Sequence, residues 1–303
     1  MIKVDLITGF LGSGKTSFIK QYASYLLNEG YKIGIIENDY GAVNVDLMIL
    51  QDLQSPNCDI EMISGGCDKQ THYRRFKTKL IAMKMIGYDR ILVEPSGIYD
   101  MDEFFDVIND DPLSNWYEIG SIITLVDSNI NSSLPQEAQS ILASQVAYAG
   151  KIITTNNENN ILDYLNKSLD LIKCQRKLNI EDLITKPLKD YKDNDFYEIL
   201  NAGYQLASYP YLNLDTKTIY QTIYLFNNNI SIEKYSSVID TIFKDSNCGY
   251  IFRIKGFVDK NDKWYEINAT KNNVYINSIE SGQNVIIIIG SNLNENKIKE
   301  YFK

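Results

Sequence analysis

The run GFLGSGKT, Gly9 to Thr16, constrains the fold of this chain more than any other stretch. It completes the pattern G-x-x-x-x-G-K-[ST], directly follows the strand-like KVDLIT and opens a helix. Glycines let the backbone curl until successive N–H groups point inward at phosphate oxygens. The helix N-terminus adds its partial positive charge. Gly9, Gly12, Ser13, Gly14, Lys15, Thr16 and Ser17 are the candidate phosphate-binding residues. Lys15 is expected to reach the β- and γ-phosphates and the Thr16 hydroxyl to bind Mg²⁺. The bland alternative is a plain Gly-rich turn, which a strand before and a helix after disfavour.

Strand-like runs recur at KVDLIT (from Lys3), KIGIIE (from Lys32), RILVE (from Arg90), SIITLVD (from Ser121) and KIITT (from Lys151). They are short, apolar and β-branched, as parallel strands covered on both faces should be. Between them lie apolar stripes at helical spacing: Phe18, Ile19, Tyr22, Tyr25 and Leu26; Tyr73, Phe76, Leu80 and Met83; Leu162, Leu165, Leu169 and Ile172. Such stripes face a core far more often than a cofactor. The alternation predicts an α/β fold with a doubly wound, mostly parallel sheet of the P-loop NTPase type. The pattern changes near SYPYLNLD, from Ser208. Closely spaced strands with polar turns such as DKNDK follow, together with the helix-like SIEKYSSVIDTIFK. They predict a small α+β C-terminal domain with an antiparallel sheet, so that residues 1–210 form one domain and 211–303 another.

Charge narrows the partners. Of 303 residues, 39 are acidic and 30 basic, a formal net charge of −9. That balance argues against nonspecific nucleic-acid binding and against anionic membranes. No run approaches the roughly 20 apolar residues of a membrane helix, and the opening MIKVDLITGF has no signal-peptide pattern. Four cysteines (Cys58, Cys67, Cys174 and Cys248) are too few for a disulfide framework in a chain this long. The expected setting is a reducing cytoplasm.

Two segments fall where a phosphate site needs them. RILVEPSG ends a strand with Glu94 and has Gly97 three residues on. An acid there holds Mg²⁺ through water, and a glycine beyond it lets a backbone N–H approach the γ-phosphate. ENDYGAVNVD places Glu37, Asp39 and Asp46 in a Gly-containing loop that could order around Mg·nucleotide, or be merely solvated.

At these residues the chain resembles the CobW-like GTPases, relatives of the UreG and HypB metallochaperones, nearly end to end. The family's phosphate loop reads GFLGSGKT, as here. Its N-E-F-G segment appears as Asn38-Asp39-Tyr40-Gly41, with the family's following aspartate at Asp46. Its E-T-T-G appears as Glu94-Pro95-Ser96-Gly97, and its T-V-V-D-A as TLVDS, which places Asp127. QVAYAGKII, from Gln145, resembles the lead-in to the base-recognition motif, and FRIKGF, KWYEINAT and VIIIIG resemble the CobW C-terminal domain. The resemblance implies Mg²⁺-dependent binding of GTP and GDP and slow hydrolysis, coupled to metal delivery or to activation of a client metalloenzyme or corrinoid protein. Lys15, Asp39, Glu94 and Gly97 are then the catalytic candidates. Thr16 and Glu94 hold Mg²⁺, and Asp39 orients the attacking water or braces the ion.

Two departures stand out. Where the family has G-C-x-C-C, whose thiolates bind Zn²⁺ or a similar ion, this chain reads Gly66-Cys67-Asp68-Lys69-Gln70. One thiolate cannot hold zinc, which takes about four ligands. Cys58, Asp68 and His72 could assist Cys67 in an improvised Zn²⁺ or Co²⁺ site. The preferred reading is a degraded site with a partly buried Cys67 and a surface His72. The second departure is base recognition. The N-K-x-D positions become Thr155, Asn156, Asn157 and Glu158, leaving Asn156 and Glu158 as the guanine-binding candidates. Each hydrogen bond lost there weakens guanine preference by about 1–3 kcal/mol.

Three functions remain open: a GTPase accessory protein that is a metallochaperone, a nucleotide-binding activator without metal transfer, and a P-loop kinase acting on a small molecule.

Overall fold

The computed structural model describes residues 1–39, 49–64, 69–99, 101–127, 134–154, 160–210, 221–226, 230–260, 263–271, 273–280 and 282–302; of Asp39, Ser64 and Lys69 it describes the backbone only. The chain divides into two compact units, Met1–Leu212 and Asn213–Lys303.

In the first unit, strands β1 (Ile2–Gly9), β2 (Ile33–Asp39), β3 (Cys58–Ser64), β4 (Arg90–Glu94), β5 (Tyr117–Val126), β6 (Lys151–Thr154) and β7 (Leu183–Ile184) form one parallel sheet, in the order β3-β2-β4-β1-β5-β6-β7. Helices α1 (Lys15–Asn28), α2 (Lys69–Lys84), α3 (Met101–Asn109), α4 (Gln136–Tyr148), α5 (Ile161–Leu171) and α6 (Asp193–Leu200) connect and cover it. The expected doubly wound α/β fold is what the chain adopts. Ile33, Ile35, Ile7 and Leu92 pack with α1 and α6 on one face. Leu6, Ile36, Ile91 and Val93 pack with α2 and α3 on the other. Each such side chain, fully buried, stabilises the fold by about 1.5–3 kcal/mol. Phe196 of α6 stacks on Tyr22 and Tyr25 of α1 at ring distances of 6.2 and 5.4 Å, which fixes the helix that carries the phosphate loop.

Sequence reading missed two strands. β3 lies at the sheet edge, and its CDIEMIS alternates polar with apolar, unlike the continuous apolar runs of the central strands. β7 is two residues long, too short to show a period. The third helical stripe is also shifted, with Ile161 rather than Leu162 in the core.

The middle of the sheet holds a buried ion pair. Arg90 at the start of β4 donates to both Asp5 carboxylate oxygens at 2.6 Å. Asp5 also accepts from Tyr22 at 3.0 Å and from the Ser121 N–H at 2.7 Å. The β1–β5 register slips here. A Cβ on Gly120 would lie 2.2 Å from Asp5 Oδ1, so glycine alone leaves room for the carboxylate.

At the end of α4, Arg176 Nη1 donates to the carbonyls of Val146, Ala147 and Ala149 at 2.9, 2.9 and 2.7 Å, satisfying acceptors the helix leaves open.

In the second unit, β8 (Gln221–Phe226), β9 (Tyr250–Lys260), β10 (Lys263–Ala269), β11 (Val274–Ile279) and β12 (Val285–Ser291) form an antiparallel sheet in the order β11-β10-β9-β12-β8. Lys260 pairs with Lys263 where β9 turns into β10. Helices α7 (Ile232–Lys244) and α8 (Glu295–Tyr301) bring Tyr235, Ile239, Ile242 and Ile298 into its core. This is the α+β architecture expected for the C-terminal part. Among the described residues no helix is long and apolar enough to cross a membrane.

Candidate phosphate and metal site

β1 ends at Gly9, and the chain turns through Gly9, Gly12 and Gly14 at φ of 143°, 80° and 90°, values that side-chain-bearing residues rarely adopt. Gly14 stands at the N-cap of α1 without a side-chain cap. The first-turn N–H groups therefore face outward with no partner supplied by the helix itself. The Ser13 N–H bonds the Phe10 carbonyl at 3.2 Å and closes the loop. Ser13 is buried, and its hydroxyl has no hydrogen-bond partner among the described residues. Lys15 is buried too and folds back over the loop, its Nζ donating to the Gly9 carbonyl at 3.0 Å. Ser17 points its side chain to solvent, so only its backbone is available to the cradle.

Thr16 Oγ1 donates to Glu94 Oε1 at 2.9 Å. The hydroxyl and the carboxylate come from residues 78 positions apart, joined because β4 lies beside β1. Glu37 pairs in register with Glu94, and both carboxylates are buried. Neighbours in register share a face, so two acids stand together under the loop, an arrangement that favours a cation.

Gly97 lies against the loop. A Cβ there would be 2.6 Å from the Leu11 nitrogen and 2.9 Å from its Cα. From the other side, Gln145 of α4 donates its Nε2 to the Gly97 carbonyl at 3.2 Å. The contact of Gln145 with Gly97 is not expected from the sequence, because nothing local distinguishes this glutamine from Gln136 and Gln139 in the same helix. Asp127 follows β5, half-buried.

At the thiol end Cys58 is out of reach of an improvised site, and His72 departs from the expected surface position. Cys58 begins β3, paired with Ile33, whereas Ser64 at its far end is level with Asp39. Seven extended residues span roughly 20 Å, so Cys58 cannot assist a site beyond the carboxyl end. Burial pushes its thiol up to about 11, and a thiol so hard to ionise is a poor ligand. His72 is not a surface residue. It is 1% exposed, its Nδ1 bonded to the Glu103 carboxylate and its ring edge-on to Tyr99 at 6.0 Å. The first turn of α2 faces the start of α3, and that packing closes over the imidazole. Asp46, Cys67, Asp68, Asn156 and Glu158, and the Asp39 side chain, lie outside the described residues.

The nucleotide-binding-domain model of the CobW/HypB/UreG family matches residues 3–179. The zinc chaperone YjiA of Escherichia coli is 30% identical over 166 residues, 52% of this chain and 50% of that protein. The zinc-regulated GTPase metalloprotein activator 1 of Dictyostelium discoideum is 26% identical over 214 residues, 60% of this chain and 43% of its own. The chain thus spans about half or less of these curated relatives. Among solved structures, Zn(II)-bound YjiA GTPase from E. coli covers 99% of this chain, which covers 98% of it, at 19% identity and a TM-score of 0.33. The hydrogenase maturation factor HypB from Archaeoglobus fulgidus covers 66% of this chain and is itself covered to 91%, at 19% identity and a TM-score of 0.40.

Proposed function

The chain belongs to the CobW/HypB/UreG nucleotide-binding family, and from that premise we propose that it is a Mg²⁺-dependent, slowly hydrolysing GTP-binding accessory protein that acts on a client metalloprotein in the cytoplasm. Residues 1–210 carry the nucleotide chemistry in this reading, and residues 211–303 form a CobW-type C-terminal domain. The observation that supports it best is the Thr16–Glu94 hydrogen bond beneath a three-glycine loop. It puts a hydroxyl, a carboxylate and a lysine at one helix N-terminus.

Lys15 exchanges the Gly9 carbonyl for phosphate oxygens when nucleotide enters. The loop N–H groups and the Ser13 hydroxyl supply further donors. Thr16 and Glu94 would hold Mg²⁺, which neutralises charge on the β- and γ-phosphates when bound. The Gly97 N–H meets the γ-phosphate, and Asp39 orients the attacking water. Catalysis of this kind is positioning and charge neutralisation. Asn156 and Glu158 contact the base, with a guanine preference weaker than a full N-K-x-D would give.

The names of the relatives suggest zinc as cargo. A second reading, a nucleotide-dependent activator that does not transfer metal, draws on the site itself: Cys58 stands at the opposite end of its strand and His72 is engaged by Glu103. Isothermal titration with GTP, GDP and ATP in Mg²⁺ tests the nucleotide reading. GTP and GDP should bind, ATP more weakly, and Lys15→Ala should abolish binding. Undiminished binding by that variant would overturn the site. Repeating the titration with Zn²⁺ or Co²⁺ separates the two readings: one tightly bound equivalent favours cargo delivery, none favours the activator.

A further inference from the structure

We propose that Gln145 is the positioning residue that sets the Gly97 peptide for the γ-phosphate; this rests on the nucleotide reading above. Gly97 is held from two sides. A Cβ on it would lie 2.6 Å from the Leu11 nitrogen in the phosphate loop, so no side chain fits. Its carbonyl accepts from Gln145 Nε2 at 3.2 Å. Gln145 comes from α4, a helix 48 residues further along the chain, and is fully buried. Its own main-chain carbonyl accepts from Thr124 Oγ1 at 2.9 Å, so the helix backbone at this point is tied to β5 while the side chain reaches the loop.

A glutamine used only to fill a core would satisfy both ends of its amide. Here Oε1 is buried without a hydrogen-bond partner among the described residues. Thr8 Oγ1, on the residue that pairs with Thr124, is in the same condition. Leaving a buried acceptor unmatched is costly. The cost is tolerable at a position whose partner moves, because the amide can then trade one bond for another as the loop shifts. Gln145 thereby reports the position of Gly97 to α4, and holds Gly97 where its N–H can meet a third phosphate and not a second. A diphosphate leaves that contact unmade.

The test is titration of the full chain with GDP and with a non-hydrolysable GTP analogue in Mg²⁺, for wild type, Gln145→Met and Gln145→Glu. Both variants keep the side-chain length and remove the Nε2 donor. The comparison is made on whichever retains the wild-type circular dichroism spectrum. GDP affinity should stay within about twofold while the analogue weakens about tenfold, the scale of one lost hydrogen bond. A ratio of the two affinities that does not fall overturns the inference, whether both nucleotides weaken together or neither does. Wild type that binds neither nucleotide would instead sink the nucleotide reading.

Discussion

Arg90 faces Asp5 in the middle of the sheet, one guanidinium nitrogen 2.6 Å from each carboxylate oxygen, although the two residues are 85 positions apart in the chain. Both side chains are removed from water, so neither charge is tolerable without the other. Asp5→Ala should destabilise the fold by about 3–5 kcal/mol, and the double replacement Asp5→Leu with Arg90→Met should recover only part of that loss, because the Tyr22 hydroxyl and the Ser121 N–H still lose their acceptor. Urea unfolding measures both. A single variant as stable as wild type would mean the pair is not carrying the load its burial implies.

Gly97→Ala asks for room that is absent, since the new methyl would meet the backbone of Leu11 at 2.6 Å. The loop or the Gly97 turn must shift. We expect a stability loss of about 1–3 kcal/mol together with a larger fall in GTP hydrolysis than in GDP binding. Thermal melting and single-turnover hydrolysis check this; wild-type values in both would show that Gly97 has slack.

Burial pushes the thiols of Cys58 and Cys248 up to about 11. At a pH near 8 only about one such thiol in a thousand is ionised. Cys174 is buried as well. Iodoacetamide on the native protein should therefore leave all three unmodified, and denaturation should expose them, as read by peptide mass spectrometry. Rapid native labelling of Cys58 would contradict its placement at the start of β3.

Asp110, just past α3, accepts from Lys77 and from the Tyr73 hydroxyl, both on α2. Those bonds hold its carboxyl below the usual carboxylate range. A depressed folded-state value gives stability that is present above the unfolded value and lost as pH falls through the folded one. Asp110→Asn should thus cost stability at neutral pH, and its gap from wild type should close below about pH 4. Urea midpoints across that range decide it; a gap of constant size would rule the linkage out.

What the chain reveals in one dimension is what is local. Three glycines, a lysine and a threonine between a strand and a helix specify their own backbone, so the phosphate loop can be read directly. Central strands can be read because both of their faces are covered. β3 escapes that rule because it is an edge, and its alternation resembles a half-exposed strand. His72 escapes because its burial depends on Glu103, 31 residues later. Gln145 escapes for the same reason, its significance resting on a carbonyl 48 residues earlier. No local pattern encodes such pairings; they follow from which helices meet over which end of the sheet.

Arg176 pins the carboxyl end of α4 through three carbonyls that begin one residue after Gln145. Were Gln145 pushed as proposed above, the helix would swing about that pinned end, and the nudge would grow along the axis toward Gln139, which donates to Ser168 of α5 at 3.0 Å. Shaving the guanidinium from Arg176 would loosen the pivot, and the same nudge would be dissipated before it travelled.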